Sequence, residues 1–129
     1  MPESVERNYI NFMKKEEPKT IRRRTAKAYN KLVRDRIPEI IESSGKSCTT
    51  EILSVGDYLR MLDAKLDEEL EEYHKDQNIE ELADLLEVIH AAAIARGYTL
   101  EDLEQIRAEK AAKRGGFEKR ILLKEVYED

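Results

Sequence analysis

The chain has 129 residues, of which 40% are hydrophobic and 40% charged, and its formal net charge is −5 at pH 7. Such a chain fits one modest domain, and its few Gly and Pro residues together with several segments of helical periodicity favour a mainly α protein. It contains neither an apolar run long enough to cross a bilayer nor a signal-peptide pattern at the N-terminus. The single Cys48 excludes an intrachain disulfide and does not fit a zinc site, so we expect a cytoplasmic protein.

The charge is unevenly distributed along the chain. Residues 1–31 hold nine Lys and Arg against four Asp and Glu, whereas residues 32–129 hold fourteen against twenty-four. The arginine run at 22–24 lacks interleaved aromatic residues, which favours a solvated arm over a nucleic-acid site. We therefore expect residues 1–28 to form a basic arm, partly helical or disordered, ahead of a compact domain at 29–129.

The first elements of this domain are short. The segment "RDRIPEIIESSG" places Pro38 in a first helical turn and Gly45 at a stop position, which predicts a short helix. Further on, "KSCTTEILS" and the C-terminal "GFEKRILLKEV" are rich in β-branched or apolar residues. These two segments are candidates to pair as a small two-stranded β element.

Three longer helices lie between these segments, each predicted to open at a capping residue with an acid three positions later. They run from Ser54 to about His74, from Asn78 to Arg96 and from Thr99 to Gly115. The predicted fold class is therefore all-α, a helical bundle with the small β element as an addition.

The first long helix has acids within its apolar stripe. At about 100° per residue, Glu69 and Glu72 fall inside this stripe, whereas Glu68 and Glu71 point toward solvent. The apolar members of the stripe are Val55, Tyr58, Leu59, Leu62, Leu66, Leu70 and Tyr73.

The second long helix carries two apolar strips. Glu81 and Asp84 fall on the second strip together with Val88, Ala91 and Ala95, and antiparallel packing would bring them opposite Glu69 and Glu72. The main core stripe is predicted to comprise Leu82, Leu85, Leu86, Ile89 and Ala93.

Buried carboxylates must be protonated, paired with cations or bound to metal, because leaving them unpaired costs several kcal/mol each. An all-carboxylate set suits a hard divalent ion, Mg²⁺ or Mn²⁺, and two acid pairs on adjacent helices favour metal binding. A purely structural interpretation competes with this, since Glu81 could partner Asn78 in a capping box and acids in a first turn are favoured by the helix dipole.

The third long helix adds cations. Arg107, Lys110 and Arg114 share a side with its apolar residues, and Lys113 lies close to that side. Basic residues near a helix C-terminus also complement the helix dipole whatever the function. Beside a metal cluster, however, a polyphosphate bridging metal and cations accounts better for them.

At these residues the sequence resembles the MazG-like nucleoside triphosphate pyrophosphohydrolases, the all-α superfamily that includes phosphoribosyl-ATP pyrophosphohydrolase. The EExxE motif is matched by Glu68, Glu69 and Glu72, and the following ExxD motif by Glu81 and Asp84. The opening "YNKLVRDRIPEII" and the closing "KAAKRGGF" resemble a subfamily labelled phosphoribosyl-ATP pyrophosphohydrolase-like. The resemblance covers about residues 29–126.

This resemblance implies a fold of the all-α NTP pyrophosphohydrolase type. It also implies an enzyme that cleaves a (d)NTP to the (d)NMP and pyrophosphate in nucleotide-pool house-cleaning. It implies Mg²⁺ held by Glu69, Glu72, Glu81 and Asp84, with Glu69 or Glu72 assisting the attacking water. Glu68 could reach an additional metal. Our candidates for substrate contacts are Asn30, Lys31, Arg34, Asp35, Lys110, Lys113, Arg114 and Phe117, with a core role the favoured alternative for Phe117.

Two other functions stay open at this point. One is the phosphoribosyl-ATP pyrophosphohydrolase step of histidine biosynthesis, and the other is a non-catalytic helical interaction module whose acids only solubilise it. The second strip on the helix after Asn78 needs a cover that one chain with few helices does not supply. We therefore expect a homodimer or homotetramer, which the resemblance also implies, with no membrane partner.

Overall fold

The structure is a computed structural model, which describes residues 26–128. The arginine run at 22–24 and most of the predicted arm lie outside the described residues. Within them the chain forms four α-helices and no strand, which confirms the all-α fold class. The helices are α1 (Ile37–Ser43), α2 (Val55–Asp76), α3 (Ile79–Ala95) and α4 (Leu100–Arg114).

The helix starts follow the predicted capping pattern. The Ser54 hydroxyl accepts a hydrogen bond from the Asp57 backbone N–H at 3.2 Å, and the Asn78 side chain accepts one from the Glu81 N–H at 3.0 Å. Thr99 and Asp102 form a complete capping box. Each cap satisfies a backbone donor that has no partner inside its helix, so the polar residue before each apolar run fixes where the helix begins.

The connection between α2 and α3 consists of Gln77 and Asn78. Gln77 has φ 50°, in the left-handed region, and its N–H donates to the carbonyl oxygen of Tyr73 at 2.7 Å. A turn this short makes two helices antiparallel neighbours, and α2 against α3 is the main helix packing in the described chain. The end of α2 therefore lies beside the start of α3, while α4 contacts mainly α3.

The buried apolar core is small. Ile37 in α1 is 1% exposed and packs with Tyr29, Val33, Ile40 and Ile41, which are partly buried. In α2, Leu62 is also buried, whereas Val55 and Leu70 of the predicted stripe are exposed. The other members of the stripe are half-buried, namely Tyr58, Leu59, Leu66 and Tyr73.

The predicted main core stripe of α3 is only partly buried, with Leu85 and Ala93 half-buried. Leu82, Leu86 and Ile89 are exposed, whereas Glu81 and Asp84 on the other strip are buried. The turn at Gln77 fixes how α3 enters its contact with α2, and it directs the acid-bearing strip inward. Three leucine and isoleucine side chains of α3 are therefore left exposed in the single chain.

The predicted two-stranded β element does not form within residues 26–128. Residues 46–53 and 117–127 have no strand structure, and the second segment exposes Ile121, Leu122 and Leu123. Three consecutive apolar residues do not alternate as a half-buried strand does, and an isolated two-stranded ribbon is only marginally stable.

No helix in the described part of the chain is both long and apolar enough to span a bilayer.

Candidate metal centre

Three buried carboxylates meet where α2 packs against α3. Glu69 and Glu81 are 0% exposed and Asp84 is 2% exposed. Each offers one oxygen, and these three oxygens lie within 4.8 Å of one another. Glu69 is contributed by the EExxE segment of α2, while Glu81 and Asp84 come from the first two turns of α3.

A second group overlaps with the first. Glu72, Asp76 and Glu81 also offer carboxylate oxygens within 4.8 Å of one another. Glu72 is partly exposed and Asp76 is exposed, so this group lies toward the rim of the buried triad of Glu69, Glu81 and Asp84. The structure thus brings together all four acids predicted as metal ligands and adds Asp76, which the sequence analysis did not include.

Two cations from the segment before α1 reach these acids. Arg34 Nη2 lies 3.1 Å from Asp84 Oδ1, and Lys31 Nζ lies 3.5 Å from Glu68 Oε1. Both cations were predicted as phosphate contacts. Their side chains are 28% and 49% exposed, so each also borders solvent at the mouth of the acidic site.

A third cation, Lys65, lies inside the site and was missed by sequence reasoning. Lys65 is 5% exposed as a whole residue, and its Nζ lies 3.3 Å from Glu68 Oε2 and 3.7 Å from Glu69 Oε1. The signal was present in the sequence: Lys65 precedes Glu69 by one helical turn and is in phase with Leu62.

The prediction that Glu68 points to solvent needs correction. Its side chain is 23% exposed and contacts both Lys31 and Lys65. Two nearby ammonium groups attract the carboxylate out of the position that the helical wheel assigns to it. Glu71, by contrast, is exposed as predicted.

Within residues 26–128, three cations form ion pairs with the acids of the site. The cations in contact with them are Lys31, Arg34 and Lys65. The acids are Glu68, Glu69, Glu72, Asp76, Glu81 and Asp84. Three of the carboxylates are removed from water, where interactions between charges are poorly screened.

The donor set has a defined chemical preference. It consists of carboxylate oxygens, with no histidine or cysteine in either acidic group. Such a set suits Mg²⁺ or Mn²⁺ rather than zinc or copper, which favour nitrogen and sulfur ligands. The residues present therefore fit the hard divalent ion expected from the sequence.

The remaining predicted substrate residues are exposed. Asn30, with φ 47°, and Asp35 lie in the segment leading to α1. The three cations Lys110, Lys113 and Arg114 lie near the C-terminal end of α4, which contacts mainly α3. A core role for Phe117 is wrong, because this residue is 97% exposed just after the glycines that end α4.

The helical wheel placed Arg107 on the side of α4 that carries its apolar residues, but the Arg107 side chain does not face the acidic site. Its Nη2 and Nε donate to Glu104 at 2.6 and 2.8 Å, one turn back on the same helix. These hydrogen bonds lower the pKa of the Glu104 carboxyl and raise the pKa of Arg107. Both groups are exposed, so this pair belongs to the surface of α4.

No protein-family model and no solved structure matches the chain. A segment of 41 residues is 56% identical to an uncharacterized protein of Mycolicibacterium smegmatis (strain ATCC 700084 / mc(2)155). The segment covers 32% of this chain and 42% of the mycobacterial protein, so the similarity spans less than half of that protein.

Proposed function

We propose that the protein is a Mg²⁺-dependent nucleoside triphosphate pyrophosphohydrolase of the MazG-like type, which converts a (d)NTP to the (d)NMP and pyrophosphate. One observation carries the proposal: the acids of the EExxE and ExxD motifs meet as three buried carboxylates with oxygens within 4.8 Å of one another. A surface that only needed solubility would expose such groups to water.

The buried triad would hold the metal. Glu69, Glu81 and Asp84 supply the inner carboxylates, and Glu72 supplies one at the rim. A bound Mg²⁺ would screen the phosphates and make a neighbouring water more acidic. Glu72 is the better candidate of the two predicted catalytic acids for accepting the proton of that water, because its partial exposure lets water reach it, whereas Glu69 is fully buried.

Arg34 and Lys31 would orient the triphosphate. They lie against Asp84 and Glu68 at the mouth of the site, and each is exposed enough to reach a ligand that arrives from solvent. The planar guanidinium of Arg34 suits bidentate contact with phosphate oxygens, and Lys31 supplies a point charge. Lys110, Lys113 and Arg114, near the C-terminal end of α4, are further candidates for phosphate contacts.

The test is release of pyrophosphate from a panel of canonical and oxidised (d)NTPs, with and without Mg²⁺. We expect release from at least one simple nucleotide, with loss of turnover in Glu69→Gln and normal turnover in the control Glu71→Gln, which changes an exposed acid on the same helix. Release from phosphoribosyl-ATP alone would instead indicate the histidine-biosynthetic reaction. If no nucleotide is cleaved and Mg²⁺ leaves the thermal melting curve unchanged, the non-catalytic interaction module is the correct interpretation.

We further propose that the protein assembles as a homodimer or homotetramer. The exposed Leu82, Leu86 and Ile89 of α3 form a strip of the kind that monomers rarely leave in water, and the C-terminal segment adds further apolar side chains. Sedimentation should give a multiple of the 15.0 kDa chain mass, and Leu86→Glu should shift the distribution toward single chains. A single-chain mass at micromolar concentration would contradict the assembly.

A further inference from the structure

Of the three cations that contact the acidic site, Lys31, Arg34 and Lys65, the least exposed is Lys65. Lysine is rarely buried in proteins, yet this residue is 5% exposed, in the middle of α2. Its ammonium contacts Glu69 at 3.7 Å and Glu68 at 3.3 Å. The phosphate-binding role proposed for Lys31 and Arg34 does not account for it, because its side chain is 6% exposed and does not border solvent as theirs do.

The contact with Glu69 places Lys65 in competition with a metal ion. Glu69 belongs to the buried triad, so the same carboxylate serves the ammonium and would serve a divalent cation. Two cations that share one buried carboxylate repel each other strongly, because little water separates them. The ammonium can leave Glu69 and keep a partner, since Glu68 Oε2 lies nearer, at 3.3 Å, and the Glu68 side chain is 23% exposed.

We propose that Lys65 is an internal counter-ion, a positioning residue that holds Glu69 in place in the metal-free protein and is displaced toward Glu68 when a divalent cation binds. This inference rests on the proposed function. It implies that Lys65 weakens the binding of free metal while keeping the empty site folded. A polyphosphate that arrives with its metal offsets the displaced positive charge, so the site favours the metal–nucleotide complex over the free ion.

The test measures binding of Mn²⁺ through the electron paramagnetic resonance signal of the free ion, with thermal melting in EDTA as a second readout. We compare the full chain with Lys65→Met, which keeps the unbranched apolar stem of the side chain and removes the ammonium group. The control is Lys75→Met, at an exposed position of the same helix. Lys65→Met should bind Mn²⁺ at least about tenfold more tightly. The reason is that an ammonium and a divalent ion that share the Glu69 carboxylate repel each other by several times RT, even at an effective dielectric near 20.

In EDTA the Tm of Lys65→Met should be lower by roughly 10 °C, because the buried Glu69 carboxylate loses the ammonium beside it. The control should change neither quantity. If Lys65→Met does not fold in EDTA, recovery of the fold on adding Mn²⁺ supports the counter-ion role, and Lys65→Gln provides the affinity comparison. Failure of both variants to recover with Mn²⁺ would overturn the role.

The outcomes separate this inference from the proposed function. Equal Mn²⁺ affinity in the unmodified chain and in Lys65→Met would overturn the counter-ion role and leave the hydrolase proposal standing. Binding by Lys65→Met but not by the unmodified chain would support the counter-ion role, and pyrophosphate release from the nucleotide panel would then decide the hydrolase proposal. Absence of Mn²⁺ binding in all variants would overturn both.

Discussion

Replacing Glu81 by Gln should make the metal-free protein more stable while removing its response to Mg²⁺. Glu81 is fully buried, and its carboxylate faces those of Glu69 and Asp84 within 4.8 Å. At that distance and an effective dielectric near 20, each pair of like charges repels by about 3 kcal/mol. Glutamine has nearly the same shape and no charge, so the substitution removes two such repulsions.

The nearby cations reduce the gain. Arg34 lies 3.1 Å from Asp84 and Lys65 lies 3.7 Å from Glu69, and both also attract the Glu81 carboxylate. We therefore expect the free energy of unfolding in EDTA to rise by about 1–2 kcal/mol, equivalent to roughly 5 °C in Tm. The helix cap is unaffected, because Asn78 accepts from the backbone N–H of residue 81.

The assay is guanidinium unfolding in EDTA and again at saturating Mg²⁺. A metal at about a hundred times its Kd adds roughly 2.7 kcal/mol to the unmodified chain, and this increment should vanish in Glu81→Gln. Glu80→Gln is the matched control, since it removes an exposed acid from the same first turn. If Glu81→Gln is less stable than the unmodified chain in EDTA, or keeps the full Mg²⁺ increment, our account of the buried acids is wrong.

Three further substitutions test other parts of the structure. Glu72→Gln should lower pyrophosphate release by at least about 100-fold, because it removes the acid proposed to accept the proton, and its circular dichroism spectrum should stay unchanged. Arg34→Met should lower the free energy of unfolding in guanidinium by about 1–3 kcal/mol, because it removes the guanidinium beside buried Asp84, whereas the exposed Arg36→Met should change it by less than about 0.5 kcal/mol. Gln77→Gly should raise Tm, with a gain of up to about 1 kcal/mol, because glycine adopts the φ of 50° at this position without strain; a lower Tm would show that the turn is not strained.

Local signals were enough to predict the helices. Ser54, Asn78 and Thr99 each accept the backbone hydrogen bond expected of a cap, and the observed helices begin at the next residue. This information is local because a cap involves residues only three positions apart. Helical phase also placed Glu69 and Asp84 on inward strips, since the short turn after α2 fixes the antiparallel partner.

Features that depend on tertiary packing were not predictable in the same way. A wheel gives each residue its direction but does not say which of two strips meets the neighbouring helix, so the exposed strip of α3 was assigned to the core. Lys65 was overlooked because lysine counts as polar on such a wheel, although it lies one turn before Glu68 and Glu69 and is buried beside them. The β element failed for a related reason, since pairing requires a partner strand at a distant position in the chain.

The inverted arrangement of α3 connects the site with the proposed assembly. An ordinary surface helix turns its leucines inward, where each gains about 2 kcal/mol on burial. Here Leu82 and Leu86 stay exposed while Glu81 and Asp84 occupy the buried positions. A single metal-free chain thus forgoes apolar burial on one side of α3 and accumulates charge repulsion on the other. In our proposal, a divalent cation would neutralise the acids on the inner side of α3, and a second copy of the chain would cover the leucines on its outer side, so both would stabilise the folded state.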